Sequence, residues 1–573
     1  MTTGSLRRLL ALAACLLVLT GCASIPEHSS PKAIKRVDGG NASVEISPPP
    51  EGLDPFALVR SFVDSAASPE KDHEAARLHL AGKAERDWHP PAGLLLLTNV
   101  DTIPTPQTGP QPRGVQSVTL QADKVGRLLP DSSFVPETGE YTVELRTERQ
   151  PNGEWRIVSP PPELIASRSS FESIYRPVPV YFLNHSRTAV VPDIRYLPAQ
   201  PTSTLPRQVI DLLIAGPSKG MTGAMQTALP EGVGTTTNTS ESPDAALEVN
   251  FTNLGDISLE TRRLIAAQVV LSLQSVSSAR VRLMEEGSAL LPEKKDLRPS
   301  DVQQYSTDFW PRPDLPGLAV VDERLVYLDS NANPVPGAAG SGELDIVRAG
   351  QSPDGKWLAA VTRRPEGVAL RIGAFGENLP ELPVTGSFMS KPTWRGSSEV
   401  WTVVDGRNIV RAVRTADGWQ LGRVDGRQLA GDQPVAELRV SRDGTRVAAV
   451  VGGDVVVAGV VEDGDQVTLQ RPVVLQPPGA QQVTRLEWRQ ADFLVALTDS
   501  NSRFVYDVTV DGYQWNAYTA SNLGQPLNAV TVAPDGRVIV ADRSGLWQAT
   551  DTDDVWSLLS VPIGGGSLPF YPG

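Results

Sequence analysis

The chain opens with an unbroken apolar run at residues 9–19, preceded by the basic pair Arg7-Arg8. Eleven residues are too few to span a bilayer as a helix but suit the apolar core of a signal peptide. Residues 25–50 lack periodicity and are rich in Ser, Pro, Gly and Asn, which predicts a flexible tether reaching about 30 Å. Phe56, Leu58, Val59, Phe62 and Val63 then recur at helical spacing, and a second helical pattern covers 70–84. Trp88-His89-Pro90-Pro91 ends it, because Pro cannot continue a helix. Alternation takes over at 115–122, 140–147 and 154–158, with the hairpin signal Asn152-Gly153 between the last two. Helices followed by antiparallel strands predict an N-terminal α+β domain over residues 53–165.

The pattern changes again over residues 175–295. Val178, Val180, Phe182 and Leu183 read as a strand, and 208–215 as a helix that stops at Gly216-Pro217. Residues 247–251 read as a strand, 262–273 as a helix, and 279–284 as a closing strand. Strands and helices alternate, so a second α+β domain is expected.

From residue 315 to 573 the chain repeats itself. Ser352-Pro353-Asp354-Gly355, followed by an apolar strand, returns as Ser441-Arg442-Asp443-Gly444 and as Ala533-Pro534-Asp535-Gly536. Thr393-Trp394-Arg395-Gly396 and Glu487-Trp488-Arg489 stand between them, also ahead of apolar strands. Taking Asp354, Arg395, Asp443, Arg489 and Asp535 as equivalent gives steps of 41, 48, 46 and 46 residues. That is the period of a propeller blade. With an earlier unit at 318–328, an all-β propeller of about six blades is predicted. Asp-Gly occurs eight times from Asp354 onward and once before it, which marks the domain boundary independently. The dipeptide tolerates the positive φ of tight hairpin turns. The fold class is therefore multidomain: two α+β domains and a propeller.

Charge and cysteine usage alter this picture at the N-terminus. Formal net charge is −14, and no Lys/Arg stripe interleaves with aromatics, so a nucleic-acid partner is not expected. The same charge opposes adsorption to an anionic membrane surface. Leu19-Thr20-Gly21-Cys22 resembles a bacterial lipobox, which makes residues 1–21 a signal peptide and Cys22 the lipidated first residue of a tether over 22–52. The chain has two Cys, and Cys15 lies in the segment that would be removed. A structural disulfide, a Cys-ligated metal and a cysteine nucleophile are then all excluded. Each buried lipid CH₂ contributes about 0.8 kcal/mol, so two or more acyl chains anchor stably. The expected location is the outer face of the cytoplasmic membrane.

Candidate chemistry is sparse. The His are His28, His73, His79, His89 and His185, so the propeller has none for acid–base work or ligation. Asp354, Asp443 and Asp535 are repeated acids, but Asp-Gly turns explain them without chemistry. Glu285-Glu286 read as a solvated strand edge, and Asp551, Asp553 and Asp554 as an acidic loop without the Gly of an EF-hand. Trp394, Trp401, Trp488 and Trp547 read as blade packing, with a binding rim as the other reading. No phosphate loop, nucleophile elbow or zinc spacing occurs. No catalytic residue, cofactor or metal is expected, and the protein is read as a non-enzyme.

Tyr181-Phe182-Leu183, the run Leu212-Leu213-Ile214-Ala215-Gly216-Pro217, and Ala228-Leu229-Pro230-Glu231-Gly232 resemble the GerMN domain of sporulation and germination proteins. Asn250-Phe251 departs from the Asp-Leu pair often found there. The whole order, from lipobox to propeller, resembles the LpqB lipoproteins of actinobacteria. That resemblance implies an accessory of the MtrA–MtrB two-component system, which contacts the extracytoplasmic part of the sensor kinase MtrB and affects envelope and division physiology. A propeller that binds or hydrolyses cell-wall glycan is the alternative.

Overall fold

The computed structural model describes residues 46, 48–106, 112–236, 240–241, 244–306, 314–479 and 481–573. The signal peptide, Cys22, His28 and most of the tether lie outside the described residues. Residues 45–573 form one compact unit. Among the described residues no helix is long and apolar enough to cross a membrane.

Helix α1 (Pro55–Ser65) starts where Asp54 accepts the N–H groups of Phe56 and Ala57, each at 2.9 Å, with Pro55 in the first turn. Its buried stripe, Leu58, Val59, Phe62 and Val63, covers a sheet ordered Trp155–Ser159, Glu140–Arg149, Val115–Leu128, Leu94–Pro104, Ile165–Ser167. Neighbours in the sheet are antiparallel except Ile165–Ser167, which runs parallel to the start of Leu94–Pro104. The helix expected over 70–84 is instead two short ones, Glu74–Arg77 and Lys83–Asp87. Between them Leu80 bridges Ile157, and Ala81 donates its N–H to the Ile157 carbonyl. Pairing with the sheet edge thus wins over helical propensity. Helix α2 (Arg168–Ile174), capped by Ser167, leads into the central domain.

The central domain begins with the hairpin Tyr175–Leu183/Val190–Pro198 and continues into helix α3 (Leu205–Ala215), which Gly216 ends at φ 89°. Strands Ala246–Thr252 and Arg280–Glu285 pair in parallel, joined by helix α4 (Leu259–Leu273). Parallel neighbours require such a crossover. Every residue of α4 from Leu264 to Leu273 is buried, because the helix is covered by the hairpin and by α3. Two polar side chains buried on it are therefore paired. Gln268 accepts from the Ala228 N–H and donates to the Tyr181 carbonyl, and Ser272 accepts from the Tyr181 N–H.

The remainder is a propeller of six antiparallel units. Five have four strands: 346–386, 393–425, 435–475, 483–517 and 529–558. The other is formed by Leu568–Phe570, Leu318–Val321 and Arg324–Tyr327, so the last strand of the chain pairs with the first and closes the ring. Counting that closing unit as blade 1, the outer strands of blades 3 and 4 also meet, Val424 pairing with Val467 and Asp425 with Thr468. Trp394 and Trp401 are wholly buried and Trp488 nearly so, which makes them packing residues. The indole N–H of Trp394 donates to the Gly350 carbonyl of the preceding blade at 2.9 Å, and that of Trp488 to the Arg439 carbonyl at 3.2 Å.

Candidate functional site

The acids singled out in the sequence are engaged in their own turns. Asp354 accepts from the Ser352 hydroxyl and the Lys356 N–H, and Asp443 likewise from Ser441 and Thr445. Asp535 pairs with Arg537, Glu285 with Arg262, and Asp554 closes its loop by accepting the N–H groups of Thr550 and Asp551. His79 is buried against Ser61 and the Ala75 carbonyl; His73 starts a short helix, His89 is exposed, and His185 lies 3.8 Å from Glu462. Among the described residues no group of three or more His, Cys, Asp or Glu is placed to hold a metal.

What the fold does assemble is a cavity of about 760 Å³ on the propeller axis. Each blade contributes the leading end of its innermost strand, including Ile346–Gln351, Val435–Val440, Val483–Gln490 and Leu568–Phe570. Three successive blades place a cation there: Lys391, Arg439 and Arg485. Each stands four residues before the turn position of its blade, Arg395, Asp443 or Arg489. That spacing is present in the repeat, but spacing alone does not show that the three side chains meet. In blade 2 the equivalent residue is Gly350, where a Cβ would meet the Pro392 carbonyl oxygen at 2.5 Å. Arg348, two positions earlier, supplies the charge instead.

These cations have unequal partners. Lys391 Nζ lies 3.0 Å from Glu487, and Arg439 contacts both Glu437 and Glu487. Burial alone would raise the Glu487 carboxyl, but Lys391 and Arg439 hold it down at about 2. Arg485 donates Nε to the Asn528 carbonyl at 3.1 Å and Nη1 to the Thr484 carbonyl at 2.7 Å, and its Nε lies 3.8 Å from Glu437, which leaves Nη2 without a hydrogen bond among the described residues. The Arg348 guanidinium lies 4.9 Å over the Phe388 ring and has no hydrogen bond or ion pair among the described residues. Burial and the like charge of Arg485 depress its pKa.

The other assembled surface is the seam between domains. The Tyr513 side chain, from a hairpin of blade 5, packs 5.0 Å from Phe134 and 5.6 Å from Phe171 and donates to Glu172 at 3.1 Å. Arg446 donates to the Pro192 carbonyl at 2.7 Å, and Arg471 to the carbonyls of Lys219 and Thr222. Asp131 of the N-terminal domain accepts the Lys219 N–H, and its carbonyl accepts from Arg195, itself paired with Asp193 at 2.7 Å. The Gly216-Pro217 helix end therefore sits where the N-terminal and central domains meet. The central domain docks at the Asp443 turn, at the far end of the innermost strand from the cavity.

Comparison with known proteins matches the chain in three consecutive parts. Residues 48–172 match the family described as Lipoprotein LpqB, N-terminal domain; residues 179–291 match Sporulation and spore germination; residues 323–572 match Lipoprotein LpqB beta-propeller domain. Proteins named Lipoprotein LpqB are similar over their full length. The one from Nocardia farcinica is 31% identical, covering 100% of this chain and 99% of its own. That from Mycolicibacterium smegmatis is 30% identical over 97% and 98%, and that from Rhodococcus jostii 27% identical over 98% and 97%.

Proposed function

Because this chain belongs to the LpqB lipoprotein family, we propose that it is a lipid-anchored extracytoplasmic protein that modulates an MtrB-like sensor kinase by binding the extracytoplasmic part of that kinase. The observation that supports this reading is the seam centred on Tyr513, which joins three domains into one body. A binding surface spread over several domains is then preformed, and less ordering entropy opposes association. Cys22 acts by position. Lipidated, it confines the protein to the membrane of its partner and raises the effective concentration of the encounter. Preference for one conformation of the kinase ectodomain would shift its activity, with envelope and division signalling downstream.

The hydrolytic alternative has less support. Glycosidases need one carboxyl that stays protonated, whereas Glu437 on the wall of the axial cavity is paired with Arg439, and Glu487 behind that wall is held ionised.

The test is reconstitution of the full lipidated chain with the kinase in the same vesicles. Expected are co-purification and a changed rate of kinase autophosphorylation, with a smaller effect from Cys22→Ala added at equal bulk concentration. An unchanged rate without co-purification would overturn the reading.

A further inference from the structure

We propose that the axial cavity of the propeller is a binding site for a small dianion carrying carboxylate or phosphate oxygens, gripped between the guanidinium groups of Arg348 and Arg485. This goes beyond the kinase reading and does not depend on it.

The first argument is electrostatic. The cavity walls carry five cations against three acids, and the next charges behind the wall, Glu487 and Arg442, are of opposite sign. An excess of two positive charges therefore stands on the axis of a chain whose net charge is −14. Bringing like charges together in a partly desolvated space is unfavourable unless a counter-charge joins them. Structural pairing accounts for Lys391 and Arg439 through Glu487 and Glu437. Among the described residues it leaves Arg348 with the Phe388 ring and no hydrogen bond, and Arg485 with a long 3.8 Å pairing to Glu437, which Arg439 already holds, and an Nη2 that makes no hydrogen bond.

The second argument is shape. About 760 Å³ lies within the range of small-molecule sites, which combine apolar walls with a few convergent polar groups. Phe388 and Phe570 line this cavity and suit a carbon skeleton. Planar guanidinium forks match the paired oxygens of carboxylate and phosphate alike. The third argument is access. Docking of the central domain occurs at the Asp443 turn, beyond the opposite end of the innermost strand, and no described residue of the two preceding domains lines the cavity.

Two anion sources, a dicarboxylate and a phosphate, share this chemistry, and the experiment separates them. Full-length protein in detergent is titrated calorimetrically with succinate and, separately, with inorganic phosphate. One site per chain is expected for at least one probe, and the probe that binds identifies the source. Arg348→Met and Arg485→Met should each weaken binding by about tenfold or more, as expected for loss of charge-assisted hydrogen bonds. Arg427→Ala, at an exposed site away from the cavity, should change nothing. In the unmutated protein, the same probe should slow phenylglyoxal modification of Arg348 and Arg485, read by mass spectrometry, which removes dependence on how the variants fold. Binding of neither probe, or binding of equal strength in all variants with no protection of those two arginines, would overturn the proposal.

Discussion

The hydroxyl of Tyr196 donates a 2.8 Å hydrogen bond to Asp511, joining the central domain to an Asp-Gly turn of blade 5 that follows 315 residues later. Asp511 is half-buried at its turn, and the desolvation of its carboxyl raises its pKa, as burial pushes the Tyr196 phenol well above its ordinary value. The same turn presents Tyr513 to the N-terminal core. One hairpin thus touches both preceding domains.

Truncating that hairpin should uncouple the domains. Tyr513→Ala removes a buried aromatic from the ring cluster and leaves Glu172 with Arg168 as its remaining donor, at a cost of about 3–5 kcal/mol. Urea unfolding followed by tryptophan fluorescence should split into separate transitions where the unmutated chain shows a more cooperative one. Tyr196→Phe, which removes only a donor to a buried acid, should cost about 1–3 kcal/mol. A variant Tyr513→Ala with an unchanged midpoint would show that the seam contributes nothing.

Stability should fall with acid through His79. Burial lowers its pKa from 6.5 to about 4. Below 6.5 the unfolded chain takes up a proton that the folded chain refuses, so stability declines as pH drops from about 6.5 towards 4. The full loss is about 3 kcal/mol. Asp507, pushed up to about 6 by burial despite Arg489, acts in the opposite sense: its contribution is present at low pH and lost as pH rises through about 6. The pH slope of the urea midpoint in His79→Gln, subtracted from that of the unmutated chain, isolates the histidine. Equal slopes would mean that folding leaves the His79 pKa unchanged.

Glu487→Gln should destabilise the propeller by about 3–5 kcal/mol, because it strands Lys391 in a buried site and leaves Arg439 with Glu437 alone. It should also make the axial cavity more positive and tighten any anion bound there. Thermal unfolding with and without succinate or phosphate measures both effects, and a gain in stability on substitution would contradict the pairing described.

Cys22→Ala should release the protein from membranes without altering its circular dichroism. Firm membrane retention of this variant would place the anchor elsewhere.

Local signals were legible without the structure. Asp-Gly hairpins, the stop at Gly216-Pro217 and the repeat of 41–48 residues depend on local chain chemistry, so composition and spacing reveal them. The helix expected over 70–84 was not, because Leu80 finds its strand partner, Ile157, far along the chain. Equivalent turns also differ in a way no repeat encodes. Asp443 is 7% exposed beneath the central domain, while Asp535, with the same motif, is exposed. Lys391, Arg439 and Arg485, four residues ahead of the turn positions Arg395, Asp443 and Arg489, are written in the sequence, yet their convergence needs a closed ring that brings separate blades to one axis. Sequence determined which segments turn, pair and repeat. Only tertiary structure decided which turns became joints and which charges came to share a cavity, since burial and electrostatic fields are set by neighbours distant along the chain.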